Sequence, residues 1–288
     1  MVLKKLIIDY IILRAKYELY KFNTDLAMIN ILKQVVFHPV QTLKLILKRN
    51  LGFEIVVYSK SSNEYRKIFP IATYSPWLCD DQFQSTYNAI KDYTLVDIYR
   101  CFELWQLVLQ CEKIPGAIIE VGVWRGGTAG IICSAIHACN SNKHAYLADT
   151  FTGVTKAGDY DKSYKGGEHS DCSVKNVNDF LSGKLGLNNY TILQGVFPED
   201  TAGLIKESKF SLCHVDVDVY LSALDIEKWI WPKLSIGGMM IYDDYGFSGC
   251  NGIKNFVNQE RQKGDRLIIH NLNGHAIVVK TSDSIQEY

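Results

Sequence analysis

No Cys-x-x-Cys pair occurs among the eight cysteines of this 288-residue chain, and several of the eight sit inside apolar runs. That usage argues against a zinc site or a disulfide frame and for reduced, structural thiols in a cytosolic protein. No stretch reaches the roughly 18 uninterrupted apolar residues of a membrane span. Residues 6–13 are too short, contain Asp9 and are followed by no small-residue cleavage site, so a secretory signal is not expected either. Net charge is zero, so no overall field recruits nucleic acid. No internal repeat or low-complexity segment appears. What is present is an ordinary globular composition, 47% hydrophobic and 22% charged, enough to build one large domain with an appendage.

The charge is unevenly spread. Residues 1–50 carry nine Lys and Arg against three acids, leaving 22 basic and 28 acidic residues beyond them. Residues 31–37 and 43–49 are amphipathic and are split by Pro39. They read as basic helices, either resting on anionic lipid at the inner membrane face or packed on the domain or on a second subunit of a dimer. Residues 1–70 are therefore taken as a helical basic extension and 71–288 as the main domain, with residues 71–112 and the loop 150–172 as cap or lid segments.

Residues 53–58 read as a short strand and 59–93 as a loop region rather than a core element. Thr94 opens a helix with Leu95, Ile98, Phe102, Trp105 and Leu109 on one face, ending before Pro115-Gly116. From there strands and helices alternate. Strands are expected at 117–121, 143–148, 190–194, 210–215 and 238–242, and helices at 128–139, 174–185, 199–206, 222–234 and 252–262. Residues 266–271 and 275–280 flank Asn273-Gly274, a hairpin signal. This order predicts an α/β fold: a doubly wound, Rossmann-like, seven-stranded sheet with a C-terminal antiparallel hairpin.

The chemistry gathers at the strand ends. After the first strand comes Gly122-Val123-Trp124-Arg125-Gly126-Gly127-Thr128. Glycines between strand and helix let the backbone approach a ligand, and the helix start offers free N–H groups. The second strand ends at Asp149, whose carboxylate suits two ribose hydroxyls. Two later apolar runs finish in Asp216-Val217-Asp218 and Asp243-Asp244. Neighbouring strands ending this way would collect hard oxygen ligands for a divalent cation in one crevice. If the strand continues through Asp216 and Asp218, both acids share one face.

Together, Glu120-Val121-Gly122-Val123-Trp124-Arg125-Gly126-Gly127, Asp149-Thr150-Phe151-Thr152-Gly153, Gly195-Val196-Phe197, Asp216-Val217-Asp218-Val219-Tyr220 with Ser222, Gly237-Gly238 and Asp243-Asp244-Tyr245-Gly246 resemble the macrocin O-methyltransferase family over about residues 75–280. Its members methylate sugar hydroxyls of macrolide and aminocoumarin antibiotics. The resemblance implies a class I methyltransferase that uses S-adenosylmethionine and Mg²⁺. It implies cofactor contacts from Glu120, Gly122, Val123, Trp124, Thr128, Asp149, Thr150, Gly195, Phe197 and Asp216, and a metal held by Asp216, Asp243 and Asp244. Asp149-Thr150-Phe151-Thr152-Gly153 departs from the family's usual Asp-Ser-Phe-Glu-Gly, and residues 1–70 lie largely outside the pattern.

The mechanism implied is in-line transfer of a methyl group from a sulfonium to a hydroxyl whose pKa the cation lowers. Asp216, Asp218 and His169 are the candidate proton acceptors; His169 lies in the loop 150–172, which carries Gly166-Gly167 and is long enough to form a lid. The alternatives are a catechol-type O-methyltransferase, a cephalosporin-hydroxylase-like protein, or a scaffold with a vestigial cofactor site.

Overall fold

Short runs of Ile, Val, Leu and Ala become central strands when both faces are covered. In the computed structural model, which describes residues 64, 65, 68 and 71–283, five such runs form β1 (Ala117–Val121), β2 (Ala145–Asp149), β3 (Tyr190–Gln194), β4 (Phe210–Val215) and β5 (Leu234–Tyr242). Two more strands, β6 (Arg266–His270) and β7 (Ala276–Lys280), form the closing hairpin. The seven strands make one sheet in the order β3-β2-β1-β4-β5-β7-β6. Strands β1 to β5 are mutually parallel, and β7 runs antiparallel to both β5 and β6. This is the Rossmann-like sheet and hairpin expected from the sequence.

Alternation along the strands sorts residues into two cores. Ile118, Leu147, Leu212, Ile241 and Ile277 face one way, onto α1 (Asp81–Ile90), α2 (Ile98–Gln110), α3 (Gly127–Ala138) and α4 (Val174–Asn178). Ile119, Val121, Tyr146, Ala148, Val215, Met240 and Val278 face the other way, onto α5 (Tyr220–Ile230) and α6 (Asn251–Glu260). All five residues of β1 are buried, as a strand covered on both faces must be.

Several local expectations are corrected. Part of the segment read as loop, residues 81–90, is helix α1. Asp80 caps it by accepting from the Phe83 amide at 2.9 Å, and Phe83 and Ile90 are fully buried. The helix expected from Thr94 starts at Ile98 instead, because the Asp97 carboxylate takes the Tyr99 and Arg100 amides and sets the N-terminus there. Leu95 is consequently exposed. The helix expected at 199–206 is only a 3-10 turn, Ala202–Leu204. The expected strand at 53–58 and the basic helices of residues 1–50 lie outside the described residues. Among the described residues no helix is long and apolar enough to cross a membrane. All eight cysteines are free, five of them buried.

Candidate active site

The order β2-β1-β4 places a topological switch between β1 and β4, where connections leave in opposite directions and a crevice opens at the carboxyl edge. Hydrogen bonds continue the ladder past the strand ends. Gly122 N donates to Ala148 O at 2.9 Å, Gly195 N to Asp149 O at 2.9 Å, Asp216 N to Val121 O at 2.9 Å and Asp243 N to Val215 O at 3.1 Å. The five residues after or ending β1 to β5 are thereby fixed along one edge. A cavity of about 420 Å³ opens over them, within the range of small-molecule sites.

Nine of the ten expected cofactor contacts line this cavity: Gly122, Val123, Trp124, Thr128, Asp149, Thr150, Gly195, Phe197 and Asp216. Glu120 does not. It is fully buried within β1, and its Oε1 lies 2.9 Å from Nδ1 of His214 on β4, the residue beside it in register. The glycine turn is shaped by its neighbours. Gly122 has φ +91°, and a Cβ there would lie 1.8 Å from the Asp216 carbonyl oxygen. Trp124 also holds a left-handed backbone, φ +46°. Asp149 stabilises that turn directly: its Oδ2 accepts from the Val123 amide at 2.7 Å and the Trp124 amide at 2.8 Å, while Oδ1 accepts from Phe151 N at 2.7 Å. A carboxylate offers about four acceptor positions, so a position on Oδ1 remains for a further donor.

The linker between α1 and α2 forms another wall. Tyr93, Thr94, Leu95 and Val96 line the cavity, and Tyr93 O accepts from the Gly127 amide at the start of α3 at 3.1 Å. The loop between β2 and α4 adds Val154, Thr155, Tyr164 and His169 to the lining. His169 lies edge-on to Trp124, 5.7 Å between ring centres. The Trp124 indole N–H donates to Asp171 at 2.6 Å, and Arg125 pairs with the same carboxylate.

The acidic corner assembles as the strand ends suggest. Ligand oxygens of Asp216, Asp243 and Asp244 lie within 4.8 Å of one another. Their chemistry, three carboxylates and no sulfur, suits a hard cation. Burial, then the charges of Asp243 and Asp244, push the Asp216 carboxyl well above the ordinary carboxylate range. Burial, then Asp218 and Asp243, do the same to Asp244. A cation bound between them would relieve both effects. Asp243 is held the other way: burial is outweighed by His214, His275 and Arg100, which keep it below that range.

Asp218 departs from the expected shared face. The strand ends at Val215, and Asp218 turns into the left-handed region at φ +64°, its amide donating to Asp244 Oδ2 at 3.1 Å. Its carboxylate still lines the cavity, accepting from the Tyr164 hydroxyl at 2.5 Å with the Cys250 thiol 3.6 Å away. Asp218, Asp244 and Cys250 form a second cluster of that spacing. Tyr164, Cys250, Arg100 and Phe247 are cavity residues that sequence reasoning missed. Arg100 stacks on the Phe247 ring at 4.5 Å and pairs with Asp243, 143 positions away, so no local pattern marks it.

His214 is the partner of Glu120 and stands 3.7 Å from Asp243 Oδ1, an ion-pair distance too long for a hydrogen bond. Burial opposes its charge, but Asp243 and Glu120 prevail and raise it to about 10. His275 lies between Asp243 Oδ1 at 2.8 Å and Glu103 Oε2 at 2.5 Å, and these carboxylates likewise raise it against burial.

Comparison with known proteins matches this geometry to a family. The Macrocin-O-methyltransferase (TylF) family model matches residues 32–272, so the pattern begins earlier than the motifs suggested and takes in part of the basic segment. Demethyldecarbamoylnovobiocin O-methyltransferase of Streptomyces niveus is 29% identical over 185 residues, 60% of this chain and 69% of that protein. The 8-demethyl-8-(2,3-dimethoxy-alpha-L-rhamnosyl)-tetracenomycin-C 4'-O-methyltransferase of Streptomyces olivaceus is 27% identical over 169 residues, 55% of this chain and 64% of its own length. Among solved structures, the O-methyltransferase NovP superposes with a TM-score of 0.57 at 26% identity, covering 66% of this chain and 82% of that one. With the match running across the glycine turn, the strand-end acids and the sheet that aligns them, the chain belongs to the macrocin O-methyltransferase family and is an S-adenosylmethionine-dependent methyltransferase.

Proposed function

We propose that the protein transfers the methyl group of S-adenosylmethionine to a hydroxyl of a sugar, in a glycan, glycolipid or glycosylated natural product, with a hard divalent cation such as Mg²⁺ held by Asp216, Asp243 and Asp244. The observation that carries this reading is the convergence of those three carboxylates in the same cavity as the glycine turn and Asp149. The tetracenomycin relative, whose name specifies a rhamnosyl unit and the 4'-oxygen, supports a sugar acceptor.

The cofactor supplies an electrophilic methyl group on a sulfonium. The cation supplies positive charge that lowers the pKa of the acceptor hydroxyl. The chain does the rest. The Gly122–Thr128 turn, braced by Asp149, and the walls at Thr150, Gly195 and Phe197 hold the cofactor at the switch point. Asp218 would accept the hydroxyl proton; Asp216, and His169 on the loop facing Trp124, are the other acceptors within the cavity. Thr94, Leu95, Val96 and Phe247 line the same cavity and would form a wall against the acceptor. The loop 150–172 and the segment 71–112 act as lid and cap of the catalytic domain. Residues 1–50 enter through sequence alone: their basic excess suits an anionic lipid face and their amphipathic runs suit a dimer contact. Eight free cysteines suit a reducing, cytoplasmic setting.

Asp243→Asn tests the central claim. Turnover should fall by about 100-fold or more, while calorimetry finds S-adenosylmethionine affinity within about threefold of the parent. A fully active variant contradicts the metal role.

A further inference from the structure

We propose that Arg100 and Glu103 of α2, with His275 just ahead of β7, are positioning residues that orient the Asp243 carboxylate at the metal corner. This rests on the reading of Asp243 as a cation ligand. Three residues apart, Arg100 and Glu103 share one face of α2. Arg100 pairs with Asp243 Oδ2, and it is itself held: its Nε donates to Asp97 Oδ2 at 2.8 Å and its guanidinium lies 4.5 Å from the centre of the Phe247 ring. Glu103 works at one remove. Its Oε2 lies 2.5 Å from His275 Nδ1, its Oε1 accepts from the Asn271 side-chain Nδ2, and His275 Nε2 reaches Asp243 Oδ1 at 2.8 Å.

Each oxygen of Asp243 is thus fixed by one protein partner before a ligand arrives, and each keeps a second acceptor position. Asp244 is held more loosely: the Asp218 amide donates to its Oδ2 at 3.1 Å and the Cys250 thiol stands beside it. The three ligands are therefore unequally prepared. Asp243 is a preset anchor, oriented by an ion pair and a carboxylate–imidazole chain. Partners of this kind set ligand orientation, and their loss typically costs 10–100-fold in metal affinity, as an order of magnitude. The arrangement also ties α2 to the metal corner directly. The linker before α2 walls the cavity, so wall and metal site share one support.

Mn²⁺ binding to the full-length protein, followed by electron paramagnetic resonance, tests the proposal alongside S-adenosylmethionine affinity by calorimetry. Glu103→Gln and His275→Leu should each weaken Mn²⁺ by about 10-fold or more with cofactor affinity retained. His275→Gln, whose amide can donate to Asp243 in place of Nε2, should recover most of the loss. If His275→Leu does not fold, Glu103→Gln decides, because that side chain is partly exposed. Parental Mn²⁺ affinity in both variants, with Asp243→Asn weakened, overturns the positioning role and leaves the metal reading intact. Parental affinity in Asp243→Asn removes the metal reading and the proposal with it. Parallel loss of Mn²⁺ and cofactor affinity would make Glu103 and His275 merely structural and also overturns the proposal.

Discussion

Gly122 is where one atom would do the most damage. The residue must hold φ +91° and let the chain after β4 pass so closely that a Cβ would sit 1.8 Å from the Asp216 carbonyl oxygen. No side-chain rotamer can relieve a clash with backbone. Gly122→Ala therefore has to push β1 and β4 apart at the switch point or flip the turn, against Asp149, which binds the next two amides. The expected cost is about 2–4 kcal/mol of stability from strain and lost backbone hydrogen bonds, with cofactor affinity falling at least in step. Urea unfolding and calorimetry on the variant would measure both; a variant as stable and as tight-binding as the parent would show that the close approach is unimportant. Gly167 is the control, since it also has positive φ but nothing lies within 4 Å of its Cβ position.

At the scale of elements, the long loop between β2 and α4 is pinned rather than free along its length. The Lys156 ammonium bridges Glu199 and Asp225. Asp161, 3% exposed, accepts from the Tyr220 amide at the start of α5 at 3.0 Å and from Gly158 N at 3.0 Å. It caps α5 from a distant segment, where Val219, the residue ahead of the helix, offers no side-chain cap. Asp161→Ala should cost about 1–2 kcal/mol, the usual value of a cap. Hydrogen exchange offers the sharper measurement: amides of residues 156–162 should exchange faster in the variant than in the parent. Unchanged exchange there would deny Asp161 its anchoring role. The elements themselves were legible wherever a strong local pattern existed. All seven strands could be read because apolar runs and turn residues mark them, and the acids at their ends marked the site. Helix α1 was hidden by its polar composition, although Asp80 and the spacing of Phe83, Tyr87 and Ile90 carried the signal. Asp218 was misplaced because the strand stops at Val215 and Asp218 itself turns into the left-handed region. Arg100, Glu103 and His275 were invisible for a different reason: they meet Asp243 or one another across 143 and 172 positions, and only the closed fold brings them together.

Across the whole molecule, five parts of the fold send charged groups into one buried chain: Glu103 and Arg100 from α2, Glu120 from β1, His214 from β4, Asp243 after β5 and His275 just ahead of β7. Among them Glu120, His214, Asp243 and His275 are at most 2% exposed. Three cationic groups alternate with three carboxylates, which is how such charges are tolerated away from water. The arrangement ties stability to pH with a definite sign. His214 is raised from 6.5 to about 10, so between those values the folded protein binds a proton that the unfolded chain has released. Its stabilisation is complete below about pH 6.5 and is lost as pH rises toward 10, at about 1.4 kcal/mol for each pH unit. His275, raised for the same reason, adds to the slope. Denaturant unfolding from about pH 6 to about pH 10 should therefore show stability declining with pH. His214→Gln should start lower, because Glu120 and Asp243 lose a cation between them, and should decline less steeply over the same window. Equal slopes for variant and parent would mean that His214 carries no charge in the folded protein, and that the buried chain is held by Arg100 and His275 alone.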